Sequence, residues 1–148
     1  MAWMVIRVRG GIHARHDIVQ TLEDLHLTRP NHLTILPEVD SVRGMLTKVQ
    51  GYVTWGEAEP ATVQLLLQER GESSMGTRLN ASNGSGPDVA ALARSVASEG
   101  LLHQRGVRPI LRLRAPKGGW RSTKKPFTLG GALGYRGRSI NDLAKRML

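Results

Sequence analysis

The sequence predicts an α+β fold in which a compact β-α-β-α-β unit, residues 1–56, carries a C-terminal extension, residues 57–148, of helices and one basic, glycine-rich segment. Three observations lead there. Short β-prone apolar runs bounded by Gly or Pro recur near residues 4–9, 32–36 and 52–55. Between them apolar residues recur at helical spacing, with polar residues on the opposite side. Charge divides unevenly: residues 1–100 hold 9 Lys and Arg against 11 Asp and Glu, a net of −2, whereas residues 101–148 hold 12 against Asp142 alone, a net of +11. The overall +9 is therefore local, and local basicity marks a footprint for a polyanion.

Met4, Ile6 and Val8 alternate with Val5, Arg7 and Arg9, the pattern of a half-exposed first strand ended by Gly10 and Gly11. Ile18, Leu22 and Leu25 then form one stripe of a helix over 14–25, with Gln20, Glu23 and Asp24 opposite. Residues 32–36 give a second strand stopped by Pro37. Asp40 is the expected N-cap of a second helix carrying Val42, Met45, Leu46 and Val49, with Gly51 suited to end it. Gly44 inside that helix predicts a close packing contact, such that Gly44→Leu would overpack it. Residues 52–55 supply the third strand.

In the extension, Pro60 opens a helix over about 60–70. Residues 71–87, with 4 Gly, 4 Ser and 2 Asn, read as a linker, and residues 88–99 as another helix. Residues 109–114 alternate like a short strand at the root of a basic loop, 111–138. Ser139, with Asp142 three residues on, is the expected cap of a final helix over 139–147 that pins the loop's far end.

The loop offers Arg108, Arg112, Arg114, Lys117, Arg121, Lys124 and Lys125 with no acid among them, followed by Arg136 and Arg138. Gly118, Gly119, Gly130 and Gly131 would let backbone amides approach sugars and phosphates, and Trp120 or Tyr135 would stack on an unpaired base. Glycine-rich basic segments often order only on binding, so partial disorder is expected in the free protein. A solubilising tail would need neither the glycine pairs nor the interleaved aromatics. On the compact unit, Arg7 and Arg9 on the strand, and Arg43 and Lys48 on the second helix, are second-rank candidates for contact with a polyanion.

Other classes lack their residues. Without cysteine there is no disulfide framework, thiol nucleophile or thiolate zinc site. His13 and His16 could share a helical face, but no His-Glu-x-x-His element accompanies them, and no phosphate-cradling Gly-rich loop or Gly-x-Ser-x-Gly element exists. The expectation is no enzyme, no cofactor and no metal, with no small-molecule substrate. The N-terminus reads as a strand rather than a signal peptide, and no apolar run is long enough to span a bilayer, so no membrane partner is expected. A free-standing RNA-binding module, or an RNA-processing enzyme using Asp17, Glu38 or Asp40, is the rival to a structural RNA-binding protein.

Thr21, Leu22, Leu25, Leu27 and Asn31, then Asp40, Arg43, Gly44, Met45, Lys48 and Val49, resemble the core of the universal large-subunit ribosomal protein family numbered thirty, counterpart of the eukaryotic large-subunit protein numbered seven. The segments Leu111-Arg-Leu-Arg-Ala-Pro-Lys-Gly-Gly, Lys125-Pro-Phe and Gly130-Gly-Ala-Leu-Gly resemble the C-terminal extension of its archaeal and eukaryotic members. Bacterial members stop near the third strand and eukaryotic ones carry a long basic N-terminal extension, so the likeness is to the archaeal type. It implies a three-stranded antiparallel sheet of order 3-1-2 with two helices on one face, a relative of the ferredoxin-like arrangement. It also implies a non-catalytic structural role in the large subunit of the cytoplasmic ribosome, bound to 23S-type rRNA with 5S rRNA nearby and ribosomal proteins as neighbours.

Overall fold

The computed structural model describes residues 2–72, 89–99 and 108–148; the expected linker lies almost wholly outside the described residues. Along the chain run β1 (Trp3–Arg7), α1 (His16–Asp24), β2 (His32–Leu36), α2 (Asp40–Lys48) and β3 (Val53–Glu57). The extension adds α3 (Pro60–Arg70), α4 (Val89–Glu99), β4 (Leu111–Arg112), β5 (Ser122–Pro126), β6 (Gly131–Tyr135) and α5 (Ser139–Arg146).

β1 pairs antiparallel with β2 on one side and β3 on the other, so the central three strands have the expected order. The sheet does not stop there. It is six-stranded, in the order β4-β2-β1-β3-β6-β5, because the extension supplies strands to both edges. β4 extends β2 antiparallel, β6 runs parallel to β3, and β5 lies along β6 with a register shift between Ser122 and Pro126. The fold is thus α+β with a mixed six-stranded sheet rather than a three-stranded one. The basic segment is not an open loop: between Ser122 and Tyr135 it is folded into β5, a short 3-10 turn (Phe127–Leu129) and β6.

Both faces of the sheet are covered. Trp3 and Val5 point to α1 and α2, packing with Leu22, Leu25, Leu46 and Val49. Met4 and Ile6 point the other way, into a cluster that includes Val63, Leu66 and Leu67 of α3, Val96 of α4, and Ile140, Leu143 and Met147 of the C-terminal helix region. Each such fully buried side chain contributes about 1.5–3 kcal/mol. The extension therefore completes the core of residues 1–56. This corrects the half-exposed reading of β1: all five residues are buried, Arg7 among them at 5% exposure.

Local signals were right about place more often than about detail. Pro60 does open α3. Asp40 and Ser139, however, are the first helical residues, preceded by Val39 and Arg138, and no side-chain cap is made at either end. Asn31 adopts a left-handed φ of 67°, and its N–H donates to the Arg7 carbonyl at 2.8 Å, as a turn-closing residue should. Gly44 does not pack closely: a Cβ there would meet nothing within 4 Å, and the residue is exposed. Gly44→Ala should accordingly raise stability by about 0.5–1 kcal/mol through helix propensity alone, read as a higher urea midpoint with unchanged slope.

The end of the chain is tied back by a buried amide. Asn141, 2% exposed, accepts a hydrogen bond from the Glu59 N–H at 3.0 Å and donates to the Glu57 and Arg138 carbonyls, each at 2.9 Å. It thus locks α5 to the β3–α3 corner. β4 and α5 anchor the two ends of the basic segment, as expected.

Candidate nucleic-acid interface

Within the described residues of the basic segment, backbone bonds from Arg114 to the Met147 carbonyl (3.1 Å) and from Lys117 to the Arg146 carbonyl (3.0 Å) lay the stretch after β4 against the end of α5. A turn follows, closed by the Gly119 N–H on the Pro116 carbonyl at 3.0 Å. Gly118 and Gly119 have φ of 83° and 74°, and nothing lies within 4 Å of a Cβ built on either, so glycine serves conformation here and the turn stays open to an approaching backbone. Lys117, Arg121, Lys124 and Lys125 are all exposed around this turn and along β5. Among the described residues none of them forms an ion pair, nor do Arg112, Arg114 and Arg138, which are also exposed. β5 is an edge strand carrying Lys-Lys-Pro, a composition that discourages pairing with another strand while presenting charge.

Other expected contact residues are occupied by the protein itself. Arg7 donates from Nη1 to the Leu27 carbonyl at 2.7 Å and from Nε to the Arg9 carbonyl at 2.9 Å, and burial lowers its pKa. Its work is inside the fold, which removes it from the contact set. Arg136, 9% exposed, likewise belongs to the interior, donating from Nε to Thr54 Oγ1 and from Nη2 to the Ala132 carbonyl, both at 2.8 Å. Arg108 pairs with Glu72 at 3.0 Å, and Lys48 lies 3.9 Å from Asp17. Arg9 is exposed but rests over the Tyr52 ring at 5.2 Å, and Arg43 lies 5.7 Å from the Trp3 ring.

The glycines and aromatics also divide. Gly130 is exposed with φ 81°, whereas Gly131 is buried and a Cβ there would run into the Lys125 carbonyl, so Gly131 is a packing residue. Trp120 is half-buried against Val8, Ala132 and Leu133, and it also lines a cavity beside α5. Tyr135 is 49% exposed, but its hydroxyl donates to Glu57, and that hydrogen bond raises its pKa.

Lys145 and Arg146 on α5 were not singled out from the sequence, yet both are exposed, and Arg146 lies beside the turn. The signal was present: they close a helix whose opposite face, Ile140, Leu143 and Met147, is apolar. Arg29 was also missed; with Arg112 and Arg7 it surrounds His32, whose pKa is lowered first by burial and then by those charges. The unfolded chain therefore binds a proton at His32 more readily than the folded one below the ordinary value of 6.5. Stability should fall as pH drops from 6.5 towards the lowered folded value, and His32→Gln should flatten that part of a thermal-melt pH profile.

Among the described residues no group of three or more His, Asp or Glu could hold a metal ion, and no helix is long and apolar enough to cross a membrane. What remains is a small α+β protein with a cationic, glycine-turned face, the build of a nucleic-acid-associated structural protein. The family model described as Ribosomal protein L30p/L7e matches residues 3–53. Relatives named large ribosomal subunit protein uL30 match over the whole chain: 38% identity with that of Methanosphaera stadtmanae, over 99% of both chains, and 40% with that of Methanococcus vannielii, over 100% of both. The counterpart in Korarchaeum cryptofilum is 41% identical over 97% of this chain and 93% of its own. The chain belongs to the uL30 family of large-subunit ribosomal proteins. It is a non-enzymatic structural constituent of the large subunit of the cytoplasmic ribosome, in association with rRNA and other ribosomal proteins.

Proposed function

We propose that the protein stabilises the large subunit by binding 23S-type rRNA through the face made of the Gly118–Gly119 turn, β5 and the end of α5. The observation that carries this is the cluster of Lys117, Arg121, Lys124 and Lys125, exposed and without an acidic partner among the described residues, beside a turn open enough for a sugar-phosphate backbone. Each phosphate neutralised releases counterions, and such clustered charge favours a polyanion over dispersed acidic ligands. Arg114 and Arg138 widen the contact, Arg112 offers a separate one from β4 at the opposite edge of the sheet, and Arg9 and Arg43 offer weaker ones from the compact unit. Arg7 acts by holding the fold, and Arg136 is anchored by interior hydrogen bonds from Nε and Nη2. Sedimentation of a cell extract through a sucrose gradient after a high-salt wash tests the reading. About one copy per large subunit retained after the wash supports it; recovery at the top of the gradient refutes it.

A further inference from the structure

Between the turn, β6 and α5 lies a cavity of about 290 Å³, at the small end of ligand-sized sites. Arg121, Arg136 and Arg146 line it, with Trp120 and Phe127 as its aromatic wall. We propose that this cavity receives one nucleotide of a single RNA strand, its phosphate against the three guanidinium groups and its base against Trp120.

The buried arginine is the reason. Both protein acceptors of Arg136, Thr54 Oγ1 and the Ala132 carbonyl, are neutral, and they engage Nε and Nη2. No acceptor is given to Nη1 among the described residues. Burial, reinforced by Arg146 and Arg121, pushes its pKa down to about 10. A buried cation with like charges beside it and no paired carboxylate is an arrangement that an incoming anion relieves. The one acid in the lining, Asp142, is exposed and forms no ion pair with these groups among the described residues.

Guanidinium forks match phosphate oxygens in a way that lysine does not. The apolar wall narrows the choice, since inorganic phosphate has no use for it. The Arg136 guanidinium occupies one face of the Phe127 ring at 4.8 Å, and Trp120 is the second aromatic surface in the lining that a base could meet. Stacking on one aromatic side chain reads no particular base, so a single-stranded or extruded nucleotide of any identity fits.

The assignment rests on the RNA-binding role proposed above, and the test separates the two. The Trp120 indole N–H resonance of the isotope-labelled full chain, identified by its loss in Trp120→Phe, is followed while a single-stranded tetraribonucleotide is added, with inorganic phosphate in a parallel titration. The oligonucleotide should shift this resonance to saturation, and phosphate should leave it nearly unmoved. Arg121→Gln with Arg146→Gln should weaken the oligonucleotide about tenfold or more, and the charge-matched Arg15→Gln with Arg94→Gln control, at two exposed positions outside the cavity, should weaken it much less. An unmoved indole at millimolar oligonucleotide, an equal shift with phosphate, or equal loss in the two double variants overturns the pocket. Loss of subunit incorporation in Lys124→Gln with Lys125→Gln but not in Arg121→Gln with Arg146→Gln would overturn it too, while leaving the rRNA-binding role in place. Wild-type protein found off the subunit would instead remove that role.

Discussion

Replacing Lys117, Arg121, Lys124 and Lys125 together by Glu should abolish retention in the large subunit while leaving the thermal transition close to that of the parent. Both halves of that expectation come from the same facts. The four side chains are exposed and without ion pairs among the described residues, so their loss removes no structural contact. If each neutralises one phosphate, losing four should flatten the log-affinity against log-salt slope by about 3, at roughly 0.7–0.9 per contact. Reversal adds repulsion, and a loss on the order of a thousandfold at physiological salt is expected. A filter-binding salt titration against a large-subunit rRNA fragment gives slope and affinity together. Full subunit occupancy by the variant would place the interface elsewhere, Arg29 and Arg112 at the opposite edge of the sheet being the next basic surface to examine. Arg136 and Arg7 are unsuitable for such reversal, because a carboxylate in either place would leave interior hydrogen bonds unmade and unfold the reporter along with the site.

The compact unit could be read from the sequence because its signals are local. Ile18, Leu22 and Leu25, or Val42, Leu46 and Val49, repeat at a spacing only a helix uses, and Pro37 and Gly10 mark ends by backbone restriction alone. β5 and β6 were hidden for the converse reason. Ser-Thr-Lys-Lys-Pro and Gly-Ala-Leu-Gly-Tyr have weak intrinsic strand preference, and they pair because the free edge of β3 and the room at Gly131 allow it. The interior role of Arg7 was equally invisible. Alternation placed it on the charged face of a half-exposed strand, but that face is covered, and the carbonyls of Leu27 and Arg9 that satisfy its guanidinium come from a turn and a strand end that no period reveals. The footprint was legible as charge; which cations stay on the surface depends on tertiary contacts.

The same limit applies to Gly56 and Gly44, where an alanine should move stability in opposite directions. Gly56 faces Met4 in the β1–β3 register and is buried, and a Cβ there would collide with the Gly137 carbonyl and come within 2.9 Å of Ile140 Cγ2. Its φ is not in the left-handed region, so the constraint is space and not conformation. The obstacle is backbone rather than a flexible side-chain end, and the turn at Gly137 cannot retreat cheaply. It is held by the Arg136 N–H on the Trp55 carbonyl at 2.9 Å and by the Asn141 bonds one turn later. Gly56→Ala should therefore cost about 1–3 kcal/mol by overpacking, with larger side chains displacing α5 and exposing Ile140, Leu143 and Met147. For a chain of this size that is a fall of roughly 2–4 °C in Tm per kcal/mol, against a small rise for Gly44→Ala. An unchanged urea midpoint in Gly56→Ala would show that α5 does not seat on β3 as described. A lowered midpoint with rRNA affinity reduced in step would tie the basic face to the seating of that helix, since Arg146 and the carbonyl that holds Lys117 both ride on it.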